Sequence, residues 1–391
     1  MGTRTLILGG GVGGVVAANS LRQSLGEAGA DHEIVVVEPR RDCYLGAAKT
    51  WVMLGHQKLE DVTRPVAALS ARGITVVADT VLAIDPKARE VRTSKATLTA
   101  DYLVIALGAD LDPSAVPGLA QAETFYTMDG ALKLGKVLAG WQGGEIVILN
   151  PRMPIKCPPA PYELAFLLDH EFKQRGVRAK TKLTVCTVEP APMPSAGARM
   201  GEFMKDELAK RDIAYHPAKK TKAVLADRKV VQFEDGTEVR YDLLVSVLPH
   251  QAPKVVRDAG LAAAGGWIPV DPKTLQTSVE RVWAIGDVTS VPLPGRYKPD
   301  VPLVLPKAAV FAEAHAKVVA EQIAAHVLGK PCTAEFTAQG FCFVEFGDSH
   351  AMGGEANFFA MPAPQVATRV PDLEQFQEKL AWASRFLATN F

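Results

Sequence analysis

The sequence lacks the features that mark several large classes of protein. Its 43 Lys and Arg residues are balanced by 43 Asp and Glu residues, so it has no basic excess of the kind that drives nucleic-acid binding. No apolar run reaches the roughly 18 residues that a bilayer-spanning helix needs. The cysteines are too few and too scattered for a disulfide scaffold, and none lies in a CxxC or CxxCH motif, which excludes a zinc ribbon and a covalent c-type haem. They are Cys43, Cys157, Cys186, Cys332 and Cys342.

The composition is that of a folded, water-facing protein. Of the 391 residues, 48% are hydrophobic and 22% are charged. These values exclude global disorder, and at about 150 residues a domain they predict two or three domains. The first predicted strand begins at once, which leaves no space for a signal peptide. We therefore expect a cytoplasmic protein without a metal site, and a periplasmic one only where a leader has been removed.

A glycine-rich turn joins the first apolar run to the first helical pattern. Gly9, Gly11 and Gly14 form a GxGxxG motif directly after residues 5–8, with Gly13 inside the same turn. In dinucleotide-binding folds the first glycine permits the tight turn, the second lets the backbone approach a pyrophosphate, and the third lets helix and strand pack closely. The alternative is a glycine-rich turn without a ligand. The strand before the motif and the helix after it favour a dinucleotide site.

Three strand ends indicate which dinucleotide is expected. Residues 33–37 form a second apolar strand ending in Glu38, which is placed to accept hydrogen bonds from ribose hydroxyls. Further along, two buried strands end in Gly108 and in Gly286-Asp287, and each alone would pass for an ordinary core strand. In this order they resemble the FAD-binding half of the two-dinucleotide-domain flavoproteins, which have a glutathione-reductase-like fold. The resemblance implies FAD rather than NAD.

The order of strands and helices predicts the domain organisation. Alternating strand and helix patterns with short connections indicate an α/β protein with parallel sheets. The resemblance implies two Rossmann-like dinucleotide-binding domains, the second inserted into a discontinuous FAD domain, plus a C-terminal domain. We place the two FAD-binding pieces at residues 1–113 and 241–329, the inserted domain at 114–240 and the C-terminal domain at 330–391.

The inserted domain begins like the first one but lacks its glycine motif. Its strand at residues 145–150 runs into the proline-rich segment 150–163. Prolines remove backbone N–H donors and fix φ, which is the opposite of what a phosphate site requires, so we expect no NAD(P)H binding here. Cys157 lies in this segment, where Lys156 and the N-terminus of the next helix favour its thiolate. A buried structural cysteine is the alternative.

The same segment carries the most specific resemblance in the chain. Lys-Cys-Pro-Pro-Ala-Pro-Tyr-Glu at residues 156–163 resembles the sulfide dehydrogenase flavoproteins, namely the sulfide:quinone oxidoreductases and the flavoprotein subunit of flavocytochrome c sulfide dehydrogenase. The resemblance covers nearly the whole chain, including residues 266–271, residues 306–315 and the stretch around Cys342. It implies an FAD-dependent enzyme that oxidises sulfide to persulfide or polysulfide sulfur and passes the electrons to a quinone or a haem protein.

The resemblance also implies roles for individual side chains. In that family two cysteines flank the flavin as a redox-active disulfide, and Cys157 and Cys342 match them, with Cys332 as the alternative second cysteine. Hydrosulfide would attack this disulfide and leave a persulfide and a thiolate. Glu163 would shuttle protons, unless it is an exposed helix carboxylate. Lys307 would stabilise the reduced flavin, unless it is a solvated surface lysine.

One departure from the family pattern bears on how FAD is held. Haem-coupled members tether the flavin through a cysteine at the position of Gly46, whereas Cys43 lies three residues earlier, so covalent FAD is not expected. Cys43 is then a free thiol near the adenosine or ribityl region, and Cys186 fills the core.

Several partners fit the sequence as the electron acceptor. The tail has an apolar stripe at helical spacing, which either inserts into a membrane surface, as in quinone users, or packs on its own domain. Phe358 and Phe359 would line a quinone pocket or a core. We predict a sulfide:quinone oxidoreductase, with a flavocytochrome c flavoprotein and a redox-sensing flavoprotein without turnover as alternatives, and with peripheral membrane association and a homodimer left open. The stripe comprises Phe376, Leu380, Trp382, Ala383, Phe386 and Leu387.

Overall fold

A computed structural model describes residues 2–391, which contain 24 strands and nine α-helices. The strands are β1 (Arg4–Leu8), β2 (Glu33–Val37), β3 (Asp42–Cys43), β4 (Arg64–Pro65), β5 (Thr75–Val77), β6 (Val81–Asp85), β7 (Glu90–Thr93), β8 (Thr97–Thr99), β9 (Tyr102–Ile105), β10 (Asp110–Leu111), β11 (Gly144–Asn150), β12 (Thr181–Thr187), β13 (Ile213–His216), β14 (Thr221–Leu225), β15 (Val230–Phe233), β16 (Glu238–Arg240), β17 (Leu243–Ser246), β18 (His250–Gln251), β19 (Ile268–Pro269), β20 (Val282–Ala284), β21 (Thr289–Ser290), β22 (Gln339–Gly347), β23 (His350–Asn357) and β24 (Gln365–Thr368). The helices are α1 (Val12–Leu25), α2 (Ala48–Met53), α3 (Leu59–Val62), α4 (Met128–Ala139), α5 (Ala160–Gln174), α6 (Ala198–Lys210), α7 (Lys254–Asp258), α8 (Ala309–Leu328) and α9 (Leu373–Asn390).

The first sheet contains strands from both predicted FAD-binding pieces, residues 1–113 and 241–329. It has the strand order β20-β9-β1-β2-β5, and every neighbouring pair is parallel. Leu8 pairs with Val37 on one side and with Ile105 on the other, so the strands end level with one another. Helix α1 packs against β1, β2 and α8. The turns after β1, β9 and β20 therefore meet at the carboxyl edge of one sheet, where open α/β folds bind their ligands.

A second parallel sheet is built from strands that come after β9 and before β20 in the sequence. Its order is β13-β12-β11-β17, and β11 pairs in register with β12 along its full length. Helix α5, which follows the proline-rich segment, packs against β11, β12 and β22. Cys186 lies on β12 and has no solvent exposure, as expected for a core cysteine.

The C-terminal part of the chain adds an antiparallel sheet of the order β22-β23-β24. This sheet packs on helix α5, which in turn packs on the second sheet. Phe346 on β22 stacks on Phe166 of α5, with ring centroids 4.7 Å apart. The guanidinium of Arg211 lies above both rings, 5.0 Å from the Phe166 centroid and 5.4 Å from the Phe346 centroid.

The apolar stripe of the tail packs on the protein's own domains. Helix α9 contacts β22, β23, α1 and α3, and Ala383, Phe386 and Leu387 are buried. Its end is tied to the first helix, because the side-chain amide of Asn19 donates to the Asn390 carbonyl at 3.1 Å. Among residues 2–391 no helix is long and apolar enough to cross a bilayer. The domain boundaries given above remain predictions.

Candidate active site

The glycine turn after β1 has the close contacts that a dinucleotide site requires. Gly9 adopts φ +104°, and a Cβ there would lie 2.5 Å from the Ala106 carbonyl oxygen. A Cβ on Gly14 would overlap the Gly9 carbonyl oxygen, so only glycine lets α1 start this close to β1. Gly11 faces open space apart from the Arg40 guanidinium, 3.6 Å from where its Cβ would be. The backbone is therefore accessible to a phosphate group at the helix N-terminus.

The acidic residue at the end of β2 is buried and hydrogen-bonded. Glu38 is 3% exposed, and its Oε2 accepts from the Gly10 N–H at 2.7 Å and from Arg40 Nη2 at 2.8 Å. Burial opposes ionisation, but the hydrogen bonds and the charge of Arg40 hold the pKa of Glu38 below its usual value. The carboxylate is therefore charged and fixed beside the glycine turn. Arg40, two residues after the predicted acid, was missed at the sequence level.

Asp287 has one side-chain oxygen that a bound ligand could satisfy. Its Oδ1 is buried and has no hydrogen-bond partner among residues 2–391, and a buried, unpaired carboxylate oxygen is costly. It lies directly after β20, on the sheet edge shared with the glycine turn. The hydroxyls of a ribityl chain would supply the donors that Asp287 lacks. Gly108 follows β9 at the same edge, so the residues present fit FAD.

Lys307 is buried rather than solvated. It is 8% exposed, its Nζ donates to the carbonyls of Asp287 at 2.6 Å and Thr289 at 2.9 Å, and it lies 3.5 Å from the ring centroid of Trp267. Burial lowers the pKa of Lys307 to about 8. The side chain therefore braces the Asp287 segment, and a direct contact with the flavin stays a prediction.

Cys157 is held in place through its backbone. Its N–H donates to the Lys307 carbonyl at 2.7 Å, and it adopts φ +53°, a left-handed conformation that costs a non-glycine residue about 1–3 kcal/mol. Such strain is characteristic of functional sites. The side chain is open to solvent although protein surrounds it, as expected for a group that lines a cleft.

Cys342 is the cysteine that most affects Cys157 electrostatically. It lies on β22 with its side chain exposed, and its charge is among the main influences on the pKa of Cys157. Cys332 is exposed in the loop after α8 and is not among those main influences. All five cysteines are free thiols in the structure, so a Cys157–Cys342 disulfide stays a proposal.

One sequence-based expectation about Cys157 is wrong. Lys156 and the helix N-terminus were expected to favour the thiolate. Instead, burial first, and then the nearby Cys342 and Glu163, raise the pKa of Cys157 well above its usual value. Burial likewise raises the pKa of Cys342 to about 11. Desolvation thus acts in the direction opposite to the neighbouring cations and exceeds their effect.

Glu163 is a buried, paired carboxylate and not an exposed one. It is 6% exposed in the first turn of α5. Its Oε2 accepts from Lys379 Nζ at 3.0 Å and from the Glu345 N–H at 3.0 Å. Burial and the neighbouring Glu345 raise the pKa of Glu163, while Lys379 opposes that rise. Its carboxylate is close enough to both cysteines to raise their pKa values, which suits a proton acceptor.

An apolar cavity opens beside Cys342. Its walls come from the proline turn after Cys157, from β22 and β23, and from the segment before α6. Phe311, Phe358 and Met352 line it, together with Met193 from the second sheet's side. Such a lining accommodates an uncharged, polarisable guest. Phe358 lines this cavity and also belongs to the buried core, and a contact with a quinone stays a prediction.

Sequence reasoning missed a cluster of polar residues that lies within electrostatic reach of Cys157. Lys49 Nζ donates to the Tyr126 carbonyl at 2.8 Å, and burial lowers the pKa of Lys49 to about 7. His250 packs edge-to-face on Tyr126, with centroids 5.3 Å apart. These residues come from three separate stretches with no shared motif, so only the folded chain could show that they meet.

Comparison with known proteins gives relatives along the whole chain. A family model described as pyridine nucleotide-disulphide oxidoreductase matches residues 3–316. The sequence is 27% identical to the sulfide-quinone reductase of Aquifex aeolicus over 402 aligned positions, covering 100% of this chain and 90% of that protein. It is 26% identical to the mitochondrial sulfide:quinone oxidoreductase of Mus musculus over 301 positions, covering 73% of this chain and 66% of that protein. The X-ray structure of the Aquifex aeolicus sulfide:quinone oxidoreductase superposes with a TM-score of 0.88 at 26% identity, covering 99% of this chain and 91% of that one.

These comparisons confirm the coarser expectations from sequence. The resemblance to sulfide:quinone oxidoreductases, the α/β fold with dinucleotide-binding domains and the assignment to oxidoreductases all hold. Proteins of this family are FAD-binding flavoproteins, which confirms the expected cofactor.

Proposed function

Because the chain belongs to the pyridine nucleotide-disulphide oxidoreductase family, we propose that it oxidises sulfide to persulfide or polysulfide sulfur and passes the electrons to a quinone. One observation carries the proposal: Cys342 is near enough to act electrostatically on Cys157, 185 positions away in sequence, and the Cys157 N–H donates to the lysine that braces Asp287. The sulfide and quinone in the names of the relatives agree with this chemistry.

The two cysteines act as a redox-active disulfide in this proposal. Hydrosulfide attacks one sulfur of the Cys157–Cys342 bond; that S–S bond breaks, a new S–S bond forms to the incoming sulfur, and the other cysteine leaves as a thiolate. Sulfide is thereby oxidised to the persulfide level, and the disulfide takes up the electron pair. Bound FAD supplies the two-electron chemistry that links the cysteine pair to the quinone.

Glu163 receives the proton that this exchange releases. Hydrogen sulfide or a persulfide must lose a proton to become a nucleophile, and Glu163 is the carboxylate whose charge both cysteines sense. The apolar cavity beside Cys342 gives a growing chain of uncharged sulfur a place that water does not fill. Each further sulfide can add only after the electron pair from the previous one has passed through bound FAD to the quinone.

A quinone is favoured as acceptor by aromatic side chains near Cys342. Phe341 and Phe343 lie on β22, and their ring centroids are 5.3 Å and 6.4 Å from that of Trp382. Flat aromatic faces bind a quinone ring by stacking and apolar contact. A haem subunit as acceptor and a redox sensor without turnover are the alternatives that experiment must separate.

A pyridine nucleotide is disfavoured as the electron donor. At the end of β12, where a dinucleotide domain would use an acid for ribose, Glu189 is 2% exposed and accepts from the Tyr162 hydroxyl at 2.8 Å. Asn150 also contacts it, from the turn where the glycines would be. The side chains of the chain itself therefore fill this position.

The test is anaerobic mixing of the FAD-loaded protein with sulfide, followed by flavin absorbance in a stopped-flow instrument. The parent protein should bleach rapidly and turn over when a soluble quinone is added. Cys157→Ser and Cys342→Ser should bleach at background rates, whereas the matched control Cys332→Ser should behave like the parent. Bleaching of both variants at the parent rate would refute the disulfide mechanism. A single stoichiometric event without turnover would indicate a sensor, and turnover with cytochrome c but not quinone would indicate a haem partner.

A further inference from the structure

A buried lysine from the last helix lies between two acids of the candidate site. Lys379 of α9 is 2% exposed. Its Nζ is 3.0 Å from Glu163 Oε2 and 2.7 Å from Glu345 Oε1. The three residues come from α5, β22 and α9, which are separate stretches of the chain.

Further hydrogen bonds connect the members of this group. The indole N–H of Trp51 donates to Glu345 Oε1 at 2.7 Å, and the Glu345 N–H donates to Glu163 Oε2 at 3.0 Å. The Lys379 ammonium lies 5.5 Å from the Trp51 ring centroid. The two acids, the lysine and the indole therefore form one connected buried network.

The network is adjacent to the reacting sulfurs. Glu345 is three residues past Cys342 on β22, and Glu163 is six residues past Cys157. The charged and titratable groups that face Glu163 are Lys379, Glu345 and the two thiols, with the Tyr126 hydroxyl also within electrostatic reach. Among these, Lys379 is the cation that hydrogen-bonds Glu163 directly.

Removing the ammonium would leave two buried acids facing each other. A buried carboxylate without a counter-ion takes up a proton, since desolvation and like charge both disfavour ionisation. Glu163 would then already hold a proton at neutral pH and could not accept one from the sulfur chemistry.

We propose that Lys379 is a positioning residue that keeps Glu163 ionised and oriented beneath the cysteine pair, so that sulfide oxidation requires α9 to be docked. This inference rests on the proposed function for its biological meaning, but the charge state of Glu163 can be measured without sulfide. It assigns the C-terminal helix a direct part in the site, beyond the packing of its apolar stripe.

The direct test is infrared titration of the reduced, FAD-loaded protein, in which a protonated Glu163 gives a carboxylic acid C=O band that Glu163→Gln lacks. In Lys379→Met, that band should persist to a pH roughly one to three units higher than in the parent. Lys379→Arg should restore the parent titration. Glu345→Gln removes the like charge while keeping an acceptor for Trp51, so it should shift the band in the opposite direction. Arg385→Met, on an exposed part of the same helix, is the matched control.

The rate of sulfide oxidation should fall at low pH as Glu163 takes up a proton. The pH of that fall should shift in each variant in the same direction as the infrared titration. An unchanged Glu163 band in Lys379→Met, with α9 still docked by amide hydrogen exchange and circular dichroism, overturns the inference. If Lys379→Met does not fold, the opposite shift in Glu345→Gln decides, and its absence counts against the network. A correct infrared pattern in a protein that never reacts with sulfide would refute the proposed function and leave the role of Lys379 in place.

Discussion

The N–H of Cys157 donates to the carbonyl of Lys307 at 2.7 Å, while the Lys307 ammonium donates to the carbonyl of Asp287 at 2.6 Å. One lysine thus connects the first candidate redox cysteine with the acid predicted to hold the flavin. The cysteine loop follows β11 of the second parallel sheet, and Asp287 lies in the turn after β20 of the first. Their relative placement therefore depends on the backbone of Lys307 on one side and on its ammonium on the other.

Oxidation of the protein should join two particular cysteines. We expect mild oxidation to give a linked peptide containing Cys157 and Cys342, because both side chains are exposed and Cys342 is near enough to act electrostatically on Cys157. Peptide mapping by mass spectrometry without reduction measures this directly. Cys332, which is also exposed, should stay free and serves as the internal control. A dominant Cys157–Cys332 peptide would transfer the role to the runner-up cysteine.

Loss of the Asp287 carboxylate should weaken FAD binding. Asp287→Ala removes a buried acceptor that has no protein partner, and a hydrogen bond to a charged group is worth about 1.5–3 kcal/mol, or roughly a 10- to 100-fold loss of affinity. The flavin-to-protein ratio after gel filtration, with fluorescence titration of the apoprotein, measures this. Asp300→Ala, at an exposed position in the next loop, should retain the cofactor. Full occupancy in Asp287→Ala would show that another group holds the ribityl chain.

Glu189 should make the protein less stable as pH rises. Burial raises the pKa of Glu189 to about 7 from an ordinary 4.5. The folded state therefore keeps a proton that the unfolded state releases, and stability falls between about pH 4.5 and 7, by up to about 3 kcal/mol. Glu189→Gln keeps an acceptor for Tyr162 and should lack this fall. Denaturant unfolding across this range checks it, with the exposed Glu202→Gln as control. A Glu189→Gln protein that follows the parent curve would mean that the carboxyl is ionised in the fold.

NADH should fail to reduce the protein. The second strand-turn-helix unit has prolines where a glycine motif would be, and Glu189, Tyr162 and Asn150 hydrogen-bond one another there. Anaerobic addition of NADH should leave the flavin absorbance unchanged on the timescale in which sulfide bleaches it. Rapid bleaching by NADH would place the protein with the pyridine-nucleotide-dependent branch of its family.

The FAD-binding motifs could be predicted from the sequence because each of them depends on residues that are close together in the chain. The GxGxxG turn needs glycine where a Cβ would strike neighbouring backbone, as at Gly14, and Glu38 follows its strand directly. The same applies to the missing second glycine motif. Motifs of this kind involve a few adjacent residues, so they can be identified before the fold is known.

The electrostatics of the sulfur site could not be read in this way. Lys379 gains its role only when the last helix docks against α5 and β22, more than 200 positions from Glu163 in sequence. The pKa of Cys157 was misjudged for the same reason, since Lys156 is adjacent in sequence while the burial that dominates comes from the whole fold. Charge and desolvation are properties of the assembled site.

The stack of Phe166 on Phe346 beneath the Arg211 guanidinium has a consequence for the geometry of the site. It holds α5, which carries Glu163, against β22, which carries Cys342 and Glu345. The two elements therefore move as one body, and the separation between the acid and the sulfur does not depend on a hinge between them.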